Sequence, residues 1–207
     1  NYALAYNLNL IYFLFLIFLL SILFFAGNRK KFLAFLKNSR PPQIIYHSGL
    51  FFTGLFLGWL AYPENLNINI FSISAMLALI SSIWLAWEAS VIFNDIYDFE
   101  IDKISNPGRP LQKEIFRLKE YSDLGLILFI LSLIGGLTVG AQFMFMLLVY
   151  QFIAWAYSAP PFRLKRFPVI ATLMSSFASL IVLFMGFTLV SGGLHLRGLS
   201  LGIVLLV

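Results

Sequence analysis

At 207 residues, with 60% hydrophobic and 11% charged side chains and a mean hydropathy of +0.90, the chain is too apolar for a soluble globular domain. It has no cysteine, which excludes disulfides and thiolate metal sites. Its net charge of +5 does not point to nucleic acid, because the basic residues sit in short stretches between long apolar runs, the pattern of membrane topology. The runs are continuous rather than alternating, which excludes a β-barrel and leaves an all-α, polytopic transmembrane helix bundle.

Taken in chain order, residues 8–26, 43–61, 70–93, 122–139, 141–157 and 169–190 read as spans, and another begins at 199. Residues 8–26 have neither a basic stretch before them nor a small-residue cleavage site after them, so they read as a transmembrane helix rather than a signal peptide. The first residue is Asn, and Leu199–Val207 is shorter than the about 20 residues a span needs, so a fragment truncated at both ends is expected. On this reading residues 1–35 are an extra N-terminal helix with its basic loop, and 36–207 the main transmembrane domain, with about seven spans begun. Of 14 positive residues, 13 fall in loops 27–42, 94–121 and 158–168, leaving only Arg197 opposite. That asymmetry predicts these loops in the cytoplasm and residue 1 outside, in an integral multi-pass protein of the plasma membrane. Gly54 with Gly58, and Gly135, Gly136 and Gly140, are of the kind that lets membrane helices approach closely.

The chemistry-bearing stretch is Asn94-Asp95-Ile96-Tyr97-Asp98-Phe99-Glu100-Ile101-Asp102, at the mouth of the third span. Carboxylates are costly near a bilayer, so such a cluster suggests a site. On a continuous helix Asp95, Asp98 and Asp102 fall within about 60° of one another with Asn94 beside Asp98, while Glu100 points elsewhere. Three like charges on one face repel, and a divalent cation among them relieves the cost. Mg²⁺ suits such a site, since it takes oxygen ligands, needs few protein carboxylates and shares itself with phosphates. The bland alternative is a solvated acidic helix end. Glu88, two turns deeper than Asp95, either faces a substrate pocket or is a buried structural group. His47, early in the second span, reads as a core histidine or a second cavity residue.

From Asn94 to Asp102, then Lys103 and Asn106-Pro107-Gly108-Arg109-Pro110-Leu111, the pattern resembles the first aspartate-rich motif of the UbiA-type membrane prenyltransferases. Tyr157-Ser158-Ala159-Pro160-Pro161-Phe162-Arg163-Leu164-Lys165-Arg166 is similar to that family's loop two helices later, and Arg40-Pro41-Pro42 to the entry of its first helix. The match covers roughly residues 36–190. The resemblance implies a bundle of about nine or more helices around a central cavity open to the cytoplasm, in which Mg²⁺ binds an allylic polyprenyl diphosphate. It implies a second aspartate-rich motif after the helix that begins near Leu199, and activity depends on it. Asn94, Asp98 and Asp102 become the expected Mg²⁺ ligands, and Asp95 either a ligand or a holder of a basic neighbour. Arg109, Arg163 and Lys165 become diphosphate clamps, aided by Tyr157 and Arg40, because guanidinium and ammonium groups match phosphate oxygens. Glu88 is then a candidate for the acceptor pocket beside its structural reading, and the acceptor is an aromatic, tetrapyrrole or glyceryl phosphate compound. The competing readings are phosphoribosyl transfer to a polyprenyl phosphate, a Mg²⁺ or cation transporter, and an inactive membrane fragment. Transport predicts polar residues along the membrane interior, whereas beyond Glu88 the spans are mostly apolar.

Overall fold

The structure is a computed structural model that describes residues 2–193; the expected seventh span and Arg197 lie outside the described residues. Eight α-helices follow one another: α1 (Tyr2–Gly27), α2 (Arg29–Asn38), α3 (Pro41–Ala61), α4 (Ile70–Tyr97), α5 (Phe99–Ser105), α6 (Leu118–Val139), α7 (Ala141–Ser158) and α8 (Pro168–Ser191). Six of them, all but α2 and α5, are long and apolar enough to cross a membrane. The protein is an integral, multi-pass membrane protein.

Local chemistry sets where the helices start. Asn69 caps α4 by accepting from the backbone of Phe71 and Ser72, and Ser72 returns a contact to the Asn69 amide. Asn28 caps α2 through Lys31 N. Proline stands in the first turn of both α3 and α8, where its missing N–H costs nothing. The 28 residues of α4 rise about 42 Å, against a hydrocarbon core of about 30 Å. The surplus carries Asn94 and Asp95, four and five residues past 90, out of the apolar layer on a rigid helix. This helix runs beyond the expected end at 93.

Lipid offers no hydrophobic drive between helices, so close packing holds them together. A Cβ on Gly54 would lie 1.9 Å from the Leu183 carbonyl oxygen, and one on Gly186 2.0 Å from that of Phe51. Hydrogen at these positions is therefore what lets α3 and α8 touch backbone to backbone. Tyr46 Oη donates to Ser179 Oγ at 3.0 Å across the same pair. On the other side Gly135 of α6 receives Phe13 of α1 and Ser82 of α4 so closely that a Cβ would sit 2.3 and 2.1 Å from them. The N-terminal helix is thus packed into the bundle, with Leu10 and Phe13 buried. Gln151 Nε2 donates to Ser132 Oγ at 2.7 Å, tying α7 to α6.

The expected loop 27–42 contains α2, whose inner face carries Lys31, Ala34, Phe35 and Asn38. Ala34 and Phe35 pack against the core formed by Ile92, Phe116, Tyr121 and Leu128. Lys31 Nζ pairs with Glu120 at 2.6 Å. Segments 27–42, 94–121 and 158–168 consequently gather at one end of the bundle, as the ion pairs below require.

Candidate active site

Two groups of charges meet where α4 leaves the bundle. The helix is interrupted at Asp98, whose φ of −97° and ψ of 10° separate α4 from α5, so the three aspartates do not share one uninterrupted face. Asp95, at 1% exposure, is engaged by four donors. Arg109 pairs with its Oδ1, joined by Arg40 Nη2 at 3.4 Å; Asn38 Nδ2 donates to Oδ2 at 2.7 Å and Tyr121 Oη at 3.3 Å. Arg109 also stands 2.7 Å from Asp102 Oδ2. Asp102 Oδ1 accepts from Asn106 Nδ2 at 2.8 Å.

The second group lies across the α4–α7 seam. Arg163 Nη2 donates to Asp98 Oδ1 at 2.6 Å, and Lys165 pairs with Asp98 Oδ2. Lys165 Nζ also donates to Asn94 Oδ1 at 2.9 Å, and Ser158 Oγ reaches the same oxygen at 2.8 Å. Arg163 adopts a left-handed backbone (φ 40°) at the end of the Pro160-Pro161 turn, which turns the chain so that both basic side chains point back to α4. The charge repulsion expected among the aspartates is relieved by four cationic side chains, Arg40, Arg109, Arg163 and Lys165.

A cavity of about 300 Å³ opens beside this mouth, between α3, α4, α7 and α8. Arg40, Asn94, Tyr157 and Ser158 line its polar end, and Trp87, Tyr150 and Met174 its apolar wall. His47 lines it too, 94% buried, with Nδ1 lacking a hydrogen-bond partner and its ring 4.9 Å from that of Trp87. Glu88 is buried but stands off this wall; α4 presents Trp87, Ser90, Val91 and Asn94 to the cavity instead. Of the residues singled out in the sequence, Asn94, Asp98, Arg163, Lys165, Tyr157 and Arg40 come together at the mouth. Asp95, Asp102 and Arg109 form the adjoining network behind it. Asn38 and Tyr121 were not legible as site residues. Nothing in the local sequence marks Tyr121, and Asn38 carries only the hint of standing two residues before Arg40.

Residues 50–207 match the sequence profile of the UbiA prenyltransferase family. The chain belongs to that family. It is 30% identical over 125 residues to the digeranylgeranylglyceryl phosphate synthase of Methanosphaera stadtmanae, covering 59% of this chain and 42% of that protein. It is 32% identical over 155 residues to the homogentisate phytyltransferase of Synechocystis, covering 68% of this chain and 45% of that protein. The chain therefore spans less than half the length of these UbiA-family relatives. Among solved structures, that of a digeranylgeranylglyceryl phosphate synthase superposes with a TM-score of 0.65 at 22% identity, covering 77% of this chain and 53% of the other. A UbiA homolog from Archaeoglobus fulgidus bound to DMAPP and Mg²⁺ superposes at 0.64 and 20% identity, covering 82% and 57%. These structural likenesses establish the UbiA fold.

The oxygen-only donors at the mouth suit a hard cation. Lys165 Nζ sits where Asn94 Oδ1 and Asp98 Oδ2 converge, so a cation is already accommodated between these two oxygens. Among the described residues no three acidic or histidine side chains converge on one point. Mg²⁺ tolerates that, because it takes one or two carboxylates and fills its octahedron with water and phosphate oxygens.

Proposed function

We propose that this protein is a Mg²⁺-dependent membrane prenyltransferase that transfers a prenyl group from an allylic polyprenyl diphosphate to a small or lipid-like acceptor. The observation that carries this reading is the mouth itself. Paired acids and bases with the chemistry to hold Mg²⁺ and diphosphate adjoin, through Asn94 and Arg40, a largely apolar cavity. Asn94 and Asp98 hold the metal, with Asp102 nearby, and Mg²⁺ when bound supplies Lewis-acid stabilisation of the charge that builds on the phosphate oxygens.

The chain's own residues do the rest. Arg163 and Lys165 exchange part of their pairing with Asp98 for the donor's diphosphate, the guanidinium as a planar fork and the ammonium as a point charge. Arg40, on the cavity wall, and Tyr157 donate to the same group. The C–O bond between the allylic carbon and diphosphate breaks, its electron pair leaves with the diphosphate, and the acceptor's electron pair closes the new bond to carbon as the acceptor's proton passes to the released diphosphate. The apolar wall of Trp87, Tyr150 and Met174 keeps water from capturing the allylic cation. His47, buried at that wall, is placed to accept a hydrogen bond from the acceptor.

The relatives named for homogentisate and for a glyceryl phosphate product support an aromatic or a glyceryl phosphate acceptor. The clustering of positive loops at one end supports a cytoplasmic mouth, and the plasma membrane is the membrane we assign to it. We assign residues 1–35, which hold α1 and most of α2, to an N-terminal extension, and 36–207 to the catalytic-type domain. The test is diphosphate release from an allylic diphosphate by the complete protein in liposomes, with homogentisate or a glyceryl phosphate as acceptor. Release should require Mg²⁺, vanish on chelation and vanish in Asp98→Ala while membrane insertion persists. Turnover that survives in Asp98→Ala refutes the assignment.

A further inference from the structure

The four donors around Asp95 divide its two oxygens by kind. Oδ1 takes the charged pair, Arg109 and Arg40; Oδ2 takes the neutral pair, Asn38 Nδ2 and Tyr121 Oη. Asn38 Nδ2 additionally donates to Tyr121 Oη at 3.0 Å, so both of its N–H bonds are engaged. With its oxygen accepting from Asn38, Tyr121 directs its own proton to Asp95. The result is a closed triangle on one oxygen that fixes the rotation of the carboxylate.

That rotation decides where Oδ1 points. A carboxylate held only by guanidiniums swivels with them, whereas one pinned through Oδ2 presents Oδ1 as a fixed anchor. Arg40 and Arg109 hang on that anchor, and Arg40 reaches from it onto the cavity wall. We propose that Asn38 is a positioning residue that, with Tyr121, locks the Asp95 carboxylate so that, with Arg109 held between Asp95 and Asp102, it keeps Arg40 ready for the donor's diphosphate.

The proposal rests on the prenyltransferase reading above and adds a part of the chain to it. Asn38 is the last residue of α2, which lies before the family-matched residues 50–207. Because α2 is docked separately, by Lys31 on Glu120 and by Ala34 and Phe35 in the core, the contribution of Asn38 is separable from that of the helix.

The test compares Asn38→Leu, which has the same branched shape but is bulkier and lacks a donor, with Tyr121→Phe and Lys31→Ala in the complete protein. Binding of inorganic diphosphate in the presence of Mg²⁺ is measured by calorimetry, beside thermal stability and the donor and acceptor KM. Asn38→Leu should weaken diphosphate binding about tenfold, the scale of one charge-assisted hydrogen bond, and raise donor KM with acceptor KM unchanged. Tyr121→Phe, which keeps the ring, should shift binding in the same direction and covers the case in which Asn38→Leu fails to fold. Lys31→Ala should bind as wild type does. Unchanged binding in Asn38→Leu, or in Tyr121→Phe if Asn38→Leu does not fold, overturns the proposal. So does an equal loss in Lys31→Ala, and so does a wild type that binds no diphosphate. A wild type that binds diphosphate but turns over no donor overturns the enzymatic reading instead, and the binding comparison still decides the role of Asn38.

Discussion

Replacing Gly186 with Ala tests whether the α3–α8 contact sets the cavity. The added Cβ would meet the Phe51 carbonyl oxygen at 2.0 Å and Leu55 N at 2.9 Å, against the 3.4 Å at which ordinary contact begins. Both obstacles are backbone, so no side chain can swing away and the two helices must part. Overpacking a well-packed core typically costs about 1–3 kcal/mol, and a backbone-on-backbone clash belongs at the upper end. On the scale of a soluble domain this size, about 3 kcal/mol lowers the melting temperature by roughly 6–12 °C. The same displacement opens the cavity between α3 and α8, where His47 faces Met174 and Ala178, and strains the Tyr46–Ser179 hydrogen bond. Donor KM should therefore rise as well. Gly49→Ala is the internal control. It lies on α3, a Cβ there meets nothing within 4 Å, and alanine is the better helix former by up to about 1 kcal/mol. Thermal unfolding of both purified variants in one detergent checks the reasoning. A Gly186→Ala protein that melts with the wild type, or no lower than Gly49→Ala, refutes it.

The basic mouth and the topology give two further expectations. Arg163→Gln removes one charge-assisted pair from Asp98 while Lys165 remains, so it should weaken donor binding roughly ten- to a hundred-fold with acceptor affinity nearly unchanged, read by steady-state kinetics with the donor varied. Ser105→Cys introduces a single exposed thiol at the end of α5 in a chain without cysteine, and an impermeant maleimide added outside intact cells should leave it unlabelled; labelling there reverses the assigned orientation.

The spans were legible because uninterrupted apolar runs admit few structures in lipid, and the six among the described residues hold their positions within a few residues. Their ends were less so. The hydropathy of the third span falls at 93, yet α4 continues to Tyr97, because backbone hydrogen bonding does not stop where side chains become polar. The basic stretch 27–42 read as a loop since its charges dominate its composition. Its Ala34 and Phe35, one helical face with Asn38, become meaningful only once a partner surface exists. The motif residues were read from their local order, and that order does bring Asn94 and Asp98 to one point. The neutral partners of Asp95 were out of reach for a different reason. Asn38 and Tyr121 stand 57 and 26 residues away along the chain, and no periodicity links residues whose meeting depends on how α2, α4 and α6 pack.

Two populations stand out among the positive charges at this end of the bundle. Arg29, Lys30 and Lys37 lie on the exposed outer face of α2, where they meet water and headgroups and contribute to orientation. Arg40, Arg109, Arg163 and Lys165 turn inward, each against a carboxylate of the motif. An isolated buried cation or anion at this depth costs several kcal/mol, whereas a paired one is tolerated. On the proposed function, the acids that would hold a metal and the bases that would hold a phosphate stabilise each other before either ligand arrives. Binding Mg²⁺ alone at Asp98 would displace Lys165 and leave it unpaired, and binding diphosphate alone would leave Asp98 unpaired. On that reading each ligand would supply the charge that the other removes, so the pairing at the mouth would favour arrival of metal and diphosphate as one unit.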